Sequence, residues 1–544
     1  MSRYLLAAEA DKIQDLIFRS ARLREVVGGS QLLDRFCKEM PPLLLEHFGG
    51  NKKDLLIHSG GSFRILFDRK AIAEEFGENL AEVYCLVTGG TLTVADPVEV
   101  DGDFATAGKQ AEENLRQAKR RRGGWHSPSH LPYVAFCASC GVGLSVDQRK
   151  YHPDDEDDPQ YLCQPCLRKA DERAEQRADD AKSFLGRFYR TVVPSDAYIW
   201  PGRDKRRDIG ERDPVEDIAD YDGRRYVAYL VADGNEMGKL FNKCTTPEQM
   251  RGLSQGLERV MREALAAPTQ KAMKLTEDRE QFIPVLPLIL GGDDLFALIP
   301  APWALDFAAQ FCREYEHWMR DLLQEPEFEG ELEFEEETPT VSVAVVICKN
   351  KHPHRLAHEA GEQCLKEAKR LSKRLAKATG LQGKQFSVVN FEVMLSGGLV
   401  LPDEDERSLR PTLRPYWITE EIPEGWGLPI QHLLEARKVL EAVEMPRKRL
   451  IEFRDLYDRD NLPTRDDLKL WETDLEHLLA RIDRNETQGQ KMRAVLEQLG
   501  GDAKAYWYQV ERGPGGHWHG HGLPDLLQAW DFAQALDQDG REEA

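Results

Sequence analysis

Ile289-Leu290-Gly291-Gly292-Asp293-Asp294-Leu295-Phe296-Ala297-Leu298-Ile299 places two apolar runs around a Gly-Gly-Asp-Asp centre. The segment reads as a β-hairpin with adjacent carboxylates at its tip. Glycines there permit a tight turn and let a phosphate approach the backbone. The two aspartates are hard oxygen donors of the kind Mg²⁺ takes together with substrate phosphates. Upstream, Tyr229-Leu230-Val231-Ala232-Asp233-Gly234-Asn235-Glu236-Met237-Gly238 is a short apolar strand ending in a third carboxylate, Asp233, and a glycine, Gly234. A carboxylate after one strand and a pair on a later hairpin can meet across neighbouring strands, the arrangement of a two-metal nucleotidyl-transfer site. Alone, an Asp-Asp turn reads equally well as solvated; the preceding strand with its own carboxylate favours a site.

The same layout occurs earlier in the chain, and internal repeats constrain a fold before anything else. Ile57-His58-Ser59-Gly60-Gly61-Ser62-Phe63-Arg64-Ile65-Leu66-Phe67 echoes the hairpin, with Ser62-Phe63 standing where the later copy has Asp293-Asp294. Leu115-Arg116-Gln117-Ala118-Lys119-Arg120 mirrors Leu365-Lys366-Glu367-Ala368-Lys369-Arg370, each ending a helix. Strand 4–10 leads into Ile13, Leu16, Ile17 and Phe18, as strand 226–232 leads into Met237, Leu240 and Phe241. Each copy therefore reads as a ferredoxin-like βαββαβ unit in an α+β protein. The first copy lacks the acidic pair and offers Glu9, Ala10 or Asp11 at the first-strand position, depending on register. It is not expected to hold two catalytic metals. Its glycines leave it able either to bind a nucleotide or to serve structure alone.

The chain has 544 residues, 41% of them hydrophobic, with a net charge of −22. That length suits three or four domains of roughly 100–200 residues. The acidic balance argues against a protein that coats nucleic acid unaided, because phosphate neutralisation dominates such binding. It is compatible with a nucleotide cleft or with docking onto a basic partner. No run of about 18 apolar residues is present, so no membrane span is expected. No signal peptide is read at the N-terminus, and the cytoplasm is the expected location.

Of ten cysteines, Cys137, Cys140, Cys163 and Cys166 form a CxxC–x22–CxxC array. Two such knuckles match a tetrahedral structural zinc site with no open position. A redox dithiol or four unpaired thiols are the alternatives. The intervening Asp154–Asp158 run reads as a solvated loop.

Taken together, Asp-Gly-Asn-Glu-Met-Gly after a strand and Gly-Gly-Asp-Asp in a hairpin resemble the palm-domain polymerase/cyclase large subunit of type III CRISPR effector complexes, relatives of the GGDEF cyclases. The resemblance implies two palms (residues 1–125 and 223–396), a zinc-binding segment and linker (126–222) and an all-α C-terminal domain (397–544). It implies conversion of ATP to cyclic oligoadenylate, with Asp233, Asp293 and Asp294 holding two Mg²⁺ or Mn²⁺ ions. Gly234, Gly291, Gly292 and Lys369 would face the nucleotide, Lys369 toward a triphosphate; read without the resemblance, the basic helix around it is a solvated face. On the first palm, Gly29, Ser30, Gly60, Gly61 and Ser62 are the nucleotide-binding candidates. Bottom-up, Gly28-Gly29-Ser30 reads as a helix stop followed by a cap, whose new helix N-terminus is a natural phosphate site. The implied partners are ATP, the other subunits of an RNA-guided complex and, indirectly, guide and target RNA. No His-Asp nuclease motif is found, so the family's associated DNA cleavage is not expected. A free-standing cyclic dinucleotide synthase and a non-enzymatic nucleotide-binding scaffold are the rival readings.

Residues 201–223 read as a linker and Glu325–Glu337 as an exposed acidic loop. Helical periodicity at 430–455, 465–482 and 488–500 suggests the C-terminal domain. Leu413-Arg414-Pro415-Tyr416 also resembles the family. His517-Trp518-His519-Gly520-His521 sits among glycines and reads as a mobile loop, with metal binding as the alternative.

Overall fold

The computed structural model describes residues 3–20, 22–121, 134–149, 159–175, 183–194, 199–201, 214–275, 282–328, 338–378, 386–394, 409–457, 468–500, 508–511 and 517–537. The first repeat comprises β1 (Arg3–Asp11), α1 (Ile13–Phe18), α2 (Leu23–His47), β2 (Leu55–Ser59), β3 (Ser62–Phe67), α3 (Lys70–Thr88), β4 (Thr91–Val94), β5 (Val98–Val100) and α4 (Phe104–Arg121). Its strand order is β2-β3-β1-β4, with β5 also pairing β1. Next come β6 (Asp147–Arg149), β7 (Gln160–Leu162), α5 (Gln164–Glu175), α6 (Phe184–Val192) and α7 (Pro214–Ala219).

The second repeat comprises β8 (Tyr226–Gly234), α8 (Met237–Phe241), α9 (Pro247–Lys274), β9 (Leu286–Gly291), β10 (Asp294–Pro300), α10 (Ala304–Leu323), β11 (Val341–Lys349), α11 (His354–Ala378) and β12 (Val388–Val393). Its order β12-β11-β8-β10-β9 contains the same arrangement as the first sheet, one strand longer. The extra strand follows from sequence. Val341–Ile347, apolar but for Ser342, is buried on both faces, which suits the parallel β11–β12 pairing made through the α11 crossover. Both repeats thus have the ferredoxin-like order expected of βαββαβ units.

The C-terminal region is mainly helical, as expected: α12 (Ile430–Ala442), α13 (Arg447–Leu456), α14 (Leu468–Ile482), α15 (Glu486–Gly500) and α16 (Leu523–Gln528). Pro446 separates α12 from α13 within the first periodic stretch, since a proline cannot donate to a continuing helix. The region is not purely helical. A short strand, Leu409–Arg410, joins Tyr508–Glu511 and His517–Gly520 in a three-stranded sheet, and Tyr416–Trp417 extends the second palm's sheet beyond residue 396.

Three further expectations are corrected. His517–Gly520 is a strand rather than a loop, and His521 is fully buried between Leu496 O and Leu523 N, so its imidazole is not open to a metal. Pro214–Ala219, inside the expected linker, is a helix whose Val215, Ile218 and Ala219 enter the core. Gly28-Gly29-Ser30 lies inside the uninterrupted helix Leu23–His47. No helix begins there, so the argument from a phosphate-binding N-terminus does not apply to Gly29 and Ser30. The Asp154–Asp158 run and most of the 325–337 loop lie outside the described residues; Phe328, within that loop, is buried.

Candidate active site

Strand register brings the acidic residues together. Asp294 opens β10 and pairs across the ladder with Asp233, the penultimate residue of β8. Asp293 occupies the two-residue turn with Gly292, which closes from Gly291 to Asp294. Only Gly292 in that turn has positive φ, +61°, the pattern of a turn with glycine at its first central position. Gly234 N donates to Asp293 O at 3.2 Å. A Cβ at Gly234 would lie 2.7 Å from Met237 Cγ and 3.2 Å from Asp293 Cβ, so glycine is what lets strand and turn approach.

Enclosure by the protein and the charge of Asp233 push the Asp293 carboxyl up to about 6, with Glu9 adding to them and a backbone hydrogen bond and Lys369 opposing. Asp294 opens toward solvent, yet enclosure by the surrounding protein and the charges of Asp293 and Asp233 hold its carboxyl well above the ordinary carboxylate range. Lys369 Nζ forms an ion pair with Asp233. Three neighbouring carboxylates, one of them paired with an ammonium, are a donor set that divalent cations would relieve, and their hard oxygens suit Mg²⁺ or Mn²⁺. The trio fits that group by chemistry. Among the described residues, only the four cysteines are gathered within 4.8 Å of one another.

The first palm repeats the construction with different residues. Glu9 pairs with Ser62 as Asp233 pairs with Asp294. Ala10 N donates to Gly61 O at 2.8 Å, as Gly234 N does to Asp293 O. The structural partners of Asp293 and Asp294 are therefore Gly61 and Ser62, one residue earlier than the sequence alignment of the two hairpins suggests. Gly60 and Gly61 both have positive φ, +57° and +77°, so this turn is of the other glycine-dependent hairpin type and fixes the register differently. Register also selects Glu9 over Ala10 and Asp11. Lys119 Nζ donates to Glu9 Oε1 at 2.6 Å, matching Lys369 and Asp233. The repeat alignment had set Lys119 under Lys369; that was the available signal for it. Lys12 and Glu236, at matching positions ahead of α1 and α8, both adopt left-handed backbone, φ +49° and +54°.

The two palms meet tip to tip. A Cβ on Gly60 would lie 3.6 Å from the Gly291 carbonyl oxygen. Two exchanged hydrogen bonds flank the tips: Gln14 Nε2 to Glu362 Oε1 at 3.3 Å, and Asn242 Nδ2 to Glu112 Oε2 at 2.8 Å. Each glutamate lies on the last helix of one palm and receives an amide from the first short helix of the other, or its end. Phe18 of α1 stacks on His358 of α11, ring centroids 4.1 Å apart, and meets Phe296 of the acidic hairpin edge-on at 4.8 Å. Between the palms runs a cleft of about 1260 Å³ lined by residues including Lys12, Gln14, Thr93, Lys119, Glu362 and Lys366. The acidic trio does not line it. The cleft approaches the trio along α11, where Glu362 and Lys366 precede Lys369 by about two turns and one turn. Gly29 and Ser30 lie away from this cleft, buried in α2 beside α5.

Cys137, Cys140, Cys163 and Cys166 converge as expected, all four sulfurs within 4.8 Å and Cys140 Sγ 3.7 Å from Cys163 Sγ. Tetrahedral zinc with Zn–S of about 2.3 Å requires S···S separations of about 3.8 Å. The cysteines therefore fit zinc.

Residues 226–377 match the family model of the Cas10/Cmr2 second palm domain. The second palm is of the Cas10/Cmr2 kind. Solved structures agree in fold. The apo Csm1–Csm4 cassette matches at TM-score 0.51 and 15% identity, covering 88% of this chain and 64% of that one. The cassette with pppApA matches at 0.52 and 14%, covering 98% and 69%. The cassette with AMPPNP matches at 0.50 and 14%, covering 84% and 63%. Across these matches this chain spans 63% to 69% of the other's length. No curated protein matches it by sequence. The Cas10-type palm is the repeat that carries Asp233, Asp293, Asp294 and Lys369; the model's match does not extend to the first palm. No helix among the described residues is long and apolar enough to cross a membrane.

Proposed function

We propose that this chain is the nucleotidyl-cyclase subunit of a type III CRISPR-type complex, joining ATP into cyclic oligoadenylate when the complex binds target RNA. The observation that carries the reading is the pair of repeated sites facing one another: Asp233–Asp294 with Lys369 on one palm, Glu9–Ser62 with Lys119 on the other. A cyclase that joins two nucleotides needs two adjoining sites, of which only one must be acidic. That Csm1–Csm4 cassettes holding AMPPNP and pppApA share this fold supports the same substrate class.

Asp233, Asp293 and Asp294 would hold divalent cations, which supply charge neutralisation for the attacking 3′-hydroxyl and the leaving pyrophosphate. The chain's own part is positioning and charge, which carry most of the catalysis in phosphoryl-type transfers. Lys369, released from Asp233, offers its ammonium to the triphosphate of the donor nucleotide. Lys119 does the same from the first palm for the acceptor. Gly60, Gly61, Gly291 and Gly292 keep the facing tips free of side chains, so two nucleotides can approach, and Ser62 offers a hydroxyl where the acidic palm has Asp294. Gly234 holds the trio's spacing.

The test is to purify the tagged protein from its host with its companions and supply each NTP with Mg²⁺ or Mn²⁺, with and without RNA complementary to any bound guide. Mass spectrometry identifies the products. Cyclic oligoadenylate formed only with matching RNA supports the proposal. Product without RNA or partners points to a free-standing synthase, and no product from an intact RNA-bound complex points to a scaffold.

A further inference from the structure

Lys169 lies on α5, three residues beyond Cys166, with 3% of its surface exposed. Its ammonium donates to the carbonyl oxygen of Leu16 and, at 3.3 Å, to Ser20 Oγ. Ser20 Oγ is itself 3.9 Å from Cys166 Sγ. Ser139, inside the first knuckle, donates to the fully buried Glu25 of α2. Gly29 makes room for the lysine stem: a Cβ there would lie 3.3 Å from both Cδ and Cε of Lys169. A glycine in mid-helix costs up to about 1 kcal/mol relative to alanine, and this packing gives Gly29 a reason to be there.

Two neutral oxygens do not offset a buried ammonium. Burial draws the Lys169 ammonium below the ordinary lysine range, and Cys166, Glu25 and Cys140 oppose that fall while Arg19 adds to it. Four thiolates around one Zn²⁺ would carry a net charge of about −2, and with zinc bound that assembly would supply a countercharge by way of Ser20. The other end of the connection matters for the cleft. Leu16 belongs to α1, whose Gln14 holds Glu362 and whose Phe18 stacks on His358. Leu16 and Lys12 also line the interpalm cleft.

We infer that Lys169 is a positioning residue that couples the four-cysteine zinc centre to α1, so that an occupied centre fixes the α1 wall of the interpalm cleft. The inference rests on the reading that the cysteines hold zinc, and zinc content of the purified chain is measured first to test that reading separately. With zinc present, hydrogen exchange is followed over residues 12–20 before and after zinc removal. A rise of tenfold or more in that segment, beside the rise expected in the knuckles themselves and α5, supports the coupling. Unchanged exchange there, or a rise spread equally over α12–α15, overturns it.

The Lys169→Met variant retains zinc but should release it at least tenfold faster to a chromogenic chelator, and should show the raised α1 exchange with zinc still bound. In the cobalt-substituted protein its thiolate-to-metal charge-transfer band should move to lower energy, because removing a positive charge raises the donor levels of the sulfurs. A purely structural lysine would leave that band in place, and an unmoved band overturns the inference. Should Lys169→Met fail to fold, Gly29→Ala displaces the lysine stem while keeping every charged group. It should give the same band shift and exchange change in smaller measure, and wild-type behaviour in that variant overturns the coupling.

Discussion

Lys119 donates to Glu9 at 2.6 Å in the first palm, in the place that Lys369 and Asp233 occupy in the second. A cation and a carboxylate stand at this position in both repeats, whereas the hairpin carboxylates are present in only one. Under the proposed function, the shared pair would serve phosphate binding in both palms, and the acidic pair a task needed once.

Loss of either lysine should therefore weaken nucleotide handling. A hydrogen bond to a charged group contributes about 1.5–3 kcal/mol, so Lys369→Ala should lower kcat/KM for ATP by roughly ten- to a hundredfold. Lys119→Ala should do the same with the loss falling mainly in KM. Steady-state kinetics of the assembled complex check both, and wild-type KM in Lys119→Ala would remove the first palm from substrate binding.

The acidic turn should trade stability for function. Asp293 has its carboxyl pushed from 3.8 up to about 6, and Asp294 is raised in the same direction. Between those values the folded state binds more protons than the unfolded chain, so stability falls as pH rises. Without added Mg²⁺ or Mn²⁺, these two residues should make the protein more stable near pH 5 than near pH 7.5. Asp293→Asn should raise the neutral-pH Tm, flatten that pH dependence and abolish turnover. Thermal melts across pH in both proteins, with product assays, test it. Added Mn²⁺ should raise the wild-type Tm at pH 7.5 and lose its effect as pH falls below about 6, because the ligands must be deprotonated.

Gly234→Ala should damage the site without removing a charge. The new Cβ would meet Met237 Cγ at 2.7 Å and Tyr315 Oη at 3.0 Å, and overpacking of this kind costs about 1–3 kcal/mol. Turnover should fall by more than the loss of folded protein explains. Gly292→Ala meets no neighbour within 4 Å but has φ of +61°, so it should cost about 1–2 kcal/mol through backbone strain alone. Denaturant melts beside turnover measurements separate the two effects.

Arg414 should anchor the C-terminal region to the second palm. It contacts Glu392 Oε2 at 3.0 Å and Asp525 Oδ1 at 3.2 Å, and Tyr416 Oη donates to the same Asp525 carboxylate at 2.7 Å. Burial pushes both acids upward while Arg414 draws them down. Removing the arginine leaves two buried carboxylates uncompensated, so Arg414→Ala should destabilise by about 3–5 kcal/mol. A fall in Tm that shrinks as pH is lowered and the two acids take up protons is the expected result; a loss independent of pH would assign the residue to packing alone.

The sequence by itself determined the repeat, the ferredoxin-like units, the four-cysteine cluster, the acidic trio and the helical tail, because each is written in local pattern. Apolar period, glycine turns and cysteine spacing act over a few residues, and chemistry at that range survives without the fold. The resemblance carried by Asp233, Asp293 and Asp294 agrees with the family model over residues 226–377. What only the tertiary structure decided is register and burial. Sequence alignment of the two hairpins set Ser62 against Asp293, while ladder pairing sets it against Asp294, because the turns differ in which central residues take positive φ. Gly28-Gly29-Ser30 looked like a helix break, but the helix runs through it, since packing against α5 outweighs the local preference of glycine and makes use of the missing side chain. His517 to His521 looked like an open loop until strand pairing and a buried imidazole closed it. The partner of Lys119, the interpalm glutamates and the place of Lys169 depend on residues far apart in the chain meeting in space, and no local rule specifies which distant side chains will meet.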